Sequence, residues 1–146
     1  MDERIYNGLN KYVADVGVFY IKLHNLHWNV VGPDFKSVHE YLETLYNEFT
    51  LVLDETAEVL KINGKTPIAS MKSFLEVTSI KELDSKDIST KDALHITLED
   101  MEYIHKSVSD LRDLAVECDC YDVISLLEDN LKSYNKTLWF LKSMCK

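Results

Sequence analysis

Apolar residues recur at three- and four-residue steps over four long stretches of this chain, the periodicity of helices that each bury one face. The first stretch runs from about Glu3 to Val31, with Ile5, Leu9, Tyr12, Val13, Val16, Tyr20, Leu23, Leu26 and Val30 on its stripe. Gly32-Pro33 stops it, because neither residue continues a helix at low cost. The second runs from about Asp34 or Ser37 to Asn63, where Asn63-Gly64 closes it, and buries Val38, Tyr41, Leu42, Leu45, Phe49, Val52, Leu53, Val59 and Leu60. The third runs from about Thr90 to Glu117 on Leu94, Leu98, Met101, Ile104, Val108, Leu111 and Leu114. The fourth runs from about Tyr121 to Met144 on Ile124, Leu127, Leu131, Tyr134, Leu138 and Leu141.

Two of the connections are short and make their flanking helices antiparallel neighbours. The third, from Gly64 to about Ser89, is too long to lie structureless in a compact domain. Thr66-Pro67 is a good start for a short helix, with Pro at the first position. Ile68, Met71, Phe74 and Leu75 are then expected to face the bundle. This all-α plan, a four-helix bundle with a short extra helix in one long crossover, is the ferritin-like arrangement.

Composition narrows the picture further. Four glycines and two prolines in 146 residues are too little punctuation for a many-stranded sheet. The length fits a single domain, residues 1–146, with a sizeable core. A net charge of −9 suits cationic cargo better than a phosphate backbone, although many soluble proteins are as acidic merely for solubility. Cys118, Cys120 and Cys145 are odd in number and include no Cys-x-x-Cys pair, so free thiols in a reducing cytosol are expected rather than a disulfide framework. Neither a leader pattern nor a membrane-spanning apolar run is present.

Candidate chemistry gathers on the second helix. At about 100° per residue, His39, Glu43, Asp54 and Glu58 fall near roughly 0°, 40°, 60° and 100°, beside the apolar stripe. Each adjacent pair is spaced i, i+4 and stacks on one face, but Asp54 lies roughly 22 Å along the axis from His39. No single ion spans both pairs in one chain. Two copies of the helix packed antiparallel about a point near residues 48 and 49 bring His39 and Glu43 of one chain opposite Asp54 and Glu58 of the other, giving two identical sites. Tyr46 and Leu51 lie on the same side and suit a partner interface better than solvent. Solvated acids with an incidental histidine produce the same spacing, and the helix alone does not separate the two readings.

The segment His27-Trp28-Asn29-Val30-Val31-Gly32-Pro33-Asp34-Phe35-Lys36-Ser37-Val38-His39, followed by Asp54-Glu55-Thr56-Ala57-Glu58, resembles the two signatures of the Dps family, the miniferritins known as DNA-binding proteins from starved cells. The spacing from His27 to His39, Asp54 and Glu58 agrees with the family pattern, and the similarity covers most of the chain. The resemblance implies an iron ferroxidase that takes Fe(II) and hydrogen peroxide. It implies a metal site of His27, His39 and Glu43 from one chain with Asp54 and Glu58 from its two-fold partner, and storage of ferric mineral in a dodecameric, cytoplasmic cage that protects against oxidative damage. Residue 43 is Glu where the family usually has Asp, a ligand one methylene longer, so function is expected to be kept with altered geometry. The resemblance also implies a redox role for Trp28, mineral nucleation at Glu48 and Glu55, and pore positions at Asp119 and Asp122. The acids at 48 and 55 also read as ordinary solvated charge, and those at 119 and 122 as helix-start residues. DNA binding is not expected, since the ends carry no Lys- and Arg-rich tail.

One further motif, Glu102-Tyr103-Ile104-His105, is the Glu-x-x-His that larger di-iron bundles use in duplicate within one chain. Asp92-Ala93-Leu94-His95 is only a near match, so His105 is read as a surface or packing residue.

Overall fold

The computed structural model describes residues 1–146. Five helices and two very short strands follow in order: α1 (Glu3–Asn29), β1 (Val30–Val31), α2 (Phe35–Ile62), α3 (Met71–Val77), β2 (Ile88–Ser89), α4 (Thr90–Glu117) and α5 (Tyr121–Met144). The four long helices form the expected bundle, α1 lying along α2 and α4 along α5, while α3 rides on α1. Their stripes meet in one core that includes Ile5, Leu23, Leu42, Leu60, Met101 and Leu127. Each such side chain contributes roughly 1.5–3 kcal/mol on leaving water. Phe49 of α2 meets Phe19 of α1 edge-on at 5.1 Å and stacks on Tyr134 of α5 at 5.6 Å, so one ring ties three helices.

The helix ends follow local chemistry. Asp2 caps α1 by accepting from the Arg4 N–H at 2.8 Å, and Ser89 caps α4 by accepting from Asp92 at 3.0 Å. At the end of α2 the Lys65 N–H donates to the Leu60 carbonyl and the Gly64 N–H to Lys61, with Gly64 at φ 73°. The end of α4 repeats this Schellman pattern, Cys120 donating to Ala115 and Asp119 to Val116, and here Asp119 takes the left-handed conformation at φ 54°.

Three features depart from the sequence reading. First, α1 stops at Asn29, and Val30-Val31 pair in parallel with Ile88-Ser89. This β-branched pair gains ladder hydrogen bonds that an additional helical turn, facing Gly32-Pro33, would not secure. Gly32 follows at φ 131°, where a Cβ would sit 3.2 Å from Thr90 Oγ1. Second, the crossover helix begins at Met71 and not at Thr66-Pro67. Ser70 accepts from the Ser73 N–H at 3.1 Å and so supplies the cap, while upstream the Thr66 carbonyl accepts from the Tyr6 hydroxyl at 2.8 Å and the Ile68 N–H donates to Asn10 Oδ1 at 3.0 Å. Third, Ile68 and Phe74 pack on the core as expected, but Met71 and Leu75 are exposed on the single subunit. With only seven residues, α3 presents one narrow face, and Phe74 occupies it against Gly17.

The crossover is anchored by a buried carboxylate. Asp15 of α1 accepts from the Thr78 hydroxyl and the Ser79 N–H, both at 2.8 Å, and from the Tyr103 hydroxyl at 2.7 Å, with Lys11 Nζ 3.4 Å away.

Candidate metal centre

The β1 strand and the Gly32-Pro33 turn bring the start of α2 back against the end of α1, which sets His39 beside His27. Each imidazole donates its Nδ1–H to the other residue's backbone carbonyl, both at 2.7 Å. A carbonyl oxygen only accepts, so the proton of each neutral ring is on Nδ1 and the Nε2 lone pair is free for a metal. The rings stack at 3.7 Å with 12° between planes. Lone pairs lie in the ring planes, so in the isolated subunit the two do not converge on one point.

Glu43 stands one turn beyond His39, with its Oε1 3.7 Å from His27 Nε2. Tyr46 donates to that same oxygen at 3.3 Å. Within the single subunit Tyr46 is half-buried against its own α1. It stacks on His24 at 3.8 Å and meets His27 and Tyr20 edge-on at 5.2 and 6.2 Å. The Tyr46 phenol is raised by loss of solvent first and by the Glu43 carboxylate second. His24 was missed altogether. Its three-residue spacing from His27, on the same face of α1, is the only signal that pointed to it.

Asp54 and Glu58 lie together farther along α2, both exposed. The Glu58 carboxyl is raised because Asp54 hydrogen-bonds and repels it. No group of three His, Cys, Asp or Glu side chains in metal-holding disposition forms within one subunit. The histidine pair with Glu43, and the Asp54–Glu58 pair, are therefore separate in the single chain. Leu51, between them on α2, is 63% exposed.

Of the other candidates, Trp28 is 68% exposed at the mouth of this cluster, with its ring 5.4 Å from that of His24. Burial raises the Glu48 carboxyl, opposed by Lys136, and Glu55 is exposed. Asp119 occupies the left-handed position of the α4–α5 turn. Asp122 lies in the first turn of α5, where it accepts from Asn63 Nδ2 at 2.8 Å and ties that helix to the end of α2. His105 is half-buried with its Nε2 2.8 Å from Asn135 Oδ1, a helix-to-helix contact apart from the α2 acids. The three cysteines are free. No helix is long and apolar enough to cross a membrane.

The ferritin-like domain model matches residues 6–146. The DNA protection during starvation protein of Brevibacillus brevis is 35% identical over 135 residues, covering 92% of this chain and 90% of its own length. The crystal structure of antigen TpF1 from Treponema pallidum superposes with a TM-score of 0.96 at 37% identity, over 99% of this chain and 92% of that one. That of the Dps protein of Vibrio cholerae O1, described as a member of a broad superfamily of ferritin-like diiron-carboxylate proteins, gives 0.94 at 26% identity, over 99% and 90% of the two chains.

Proposed function

Because this chain belongs to the Dps family of ferritin-like proteins, we propose that it oxidises Fe(II) at sites shared between two-fold-related subunits and stores the Fe(III) as mineral inside a hollow cage of twelve. His27, His39 and Glu43 of one subunit face Asp54 and Glu58 of the next, so each dimer holds two sites. The observation that carries this reading is the reciprocal Nδ1–H bonding of His27 and His39, which leaves the Nε2 lone pair of each ring available as a donor before any iron arrives.

Iron is the substrate. Imidazole and carboxylate donors suit it, and the carboxylates favour Fe(III) over Fe(II). Hydrogen peroxide is the oxidant: two Fe(II) supply two electrons to one peroxide, which with two protons leaves as two waters. Removing both reagents together suppresses hydroxyl-radical formation, the protective role. Trp28, next in sequence to His27, is a further electron source. Glu48 and Glu55 seed mineral, and the cage works in the cytoplasm. At net charge −9 the chain is a poor ligand for duplex DNA.

The test is anaerobic Fe(II) oxidation by peroxide, comparing the wild type with Asp54→Ala/Glu58→Ala. Fast oxidation to soluble mineral, lost in a variant that still assembles, supports the shared site. Equal rates, or a wild type no faster than buffer, leave a cage without ferroxidase chemistry as the better reading.

A further inference from the structure

We infer that Tyr46 is a positioning residue that holds the Glu43 carboxylate in ligating position, an inference that rests on the inter-subunit iron site proposed above. Glu43 is long and its side chain is about half exposed, so a free rotamer would have to be ordered each time iron binds. Two polar groups approach its Oε1: His27 Nε2 at 3.7 Å and the Tyr46 hydroxyl at 3.3 Å. Two donors on one first-row ion stand roughly 3.4 Å apart in tetrahedral geometry, so Oε1 is already close to a ligand's station relative to His27.

The hydroxyl can act as a tether because the Tyr46 ring is itself held. It is clamped face-on by His24 at 3.8 Å and edge-on by His27 and Tyr20. These contacts come from α1, whereas Glu43 and Tyr46 share α2 at i, i+3 spacing and stack on one face. Asp at position 43 would retract the carboxylate by about 1.5 Å, one carbon–carbon bond. The Tyr46 hydroxyl, already at long range, would then no longer reach it. The longer acid and the tyrosine thus form a matched pair.

The test is Co(II) titration of the assembled protein, reading both affinity and ligand-field spectrum, in a double-mutant cycle of Tyr46→Phe and Glu43→Asp. Phe keeps the ring and its stacking, so only loss of the hydroxyl is scored. In the wild-type background Tyr46→Phe is expected to weaken Co(II) binding about threefold to tenfold, the range of one hydrogen bond, and to alter the spectrum. In the Glu43→Asp background it is expected to change affinity less than about twofold. An unchanged affinity and spectrum in Tyr46→Phe, or the same loss in both backgrounds, overturns the inference. Co(II) binding unaffected by Asp54→Ala/Glu58→Ala overturns the shared site and the inference together. Coupled Co(II) binding without peroxide-driven Fe(II) oxidation removes the ferroxidase reading and leaves the positioning role standing.

Discussion

His27 and His39 restrain each other: each ring donates to the other's main-chain carbonyl at 2.7 Å, and the rings stack at 3.7 Å. The His27 carbonyl is one of the last four of α1, which have no partner within the helix. The His39 imidazole is therefore a tertiary C-terminal cap for α1 as well as a proposed ligand.

Replacing His39 with Leu removes both roles at once. The unfolding free energy is expected to fall by about 1–3 kcal/mol, the cost of an unsatisfied buried acceptor, together with loss of fast Fe(II) oxidation. Urea denaturation and stopped-flow oxidation measure the two separately. An unchanged urea midpoint would show that the ring does not cap the helix.

Asp15→Ala is expected to be the more damaging change although it lies outside the metal centre. Asp15 is 1% exposed and serves donors from α1, the crossover and α4. Its removal strands the Tyr103 hydroxyl and the Ser79 N–H, two part-buried donors, and should cost about 2–4 kcal/mol. Amide exchange at Ser79 and Ile80 is expected to accelerate more than exchange within α2. Uniform acceleration along the chain would contradict a local anchoring role.

Alkaline pH should unfold the protein through Tyr12 and Tyr134. Their hydroxyls are hydrogen-bonded to each other inside the bundle, and Asn130 donates to Tyr12 at 2.9 Å. Burial, first, raises both phenols above their ordinary value of 10.0. The folded state therefore retains protons that the unfolded state releases, and stability present below about pH 10 falls as pH rises beyond it. Tyr12→Phe/Tyr134→Phe is expected to flatten the stability profile above pH 10, read by urea titrations at successive pH values. A profile as steep as that of the wild type would assign the alkaline loss to other groups.

The long helices were readable because their information is local. A three- to four-residue apolar period, Gly32-Pro33, Asn63-Gly64 and the caps act within a few residues of themselves, and the α2, α4 and α5 bounds follow from them. The crossover helix was placed too early because Thr66-Pro67 is a sound helix start in isolation. Tyr6 and Asn10, distant in sequence, hold the Thr66 carbonyl and the Ile68 N–H, the groups a helix starting at Pro67 would use for its first turn and its cap, and Ser70 caps the helix instead.

The candidate centre divides along the same line. The positions of His39, Glu43, Asp54 and Glu58 on one arc of α2, and their separation into two pairs too far apart for one ion, are consequences of helical pitch and were determined by the sequence alone. So was the signature spacing that links them to His27. Only the tertiary structure decided the tautomers of His27 and His39, because those depend on carbonyls contributed by the opposite helix. It alone turned Tyr46 inward onto His24 and delivered its hydroxyl to Glu43, because ring-on-ring contact between α1 and α2 depends on how two helices cross, which the period of neither helix contains.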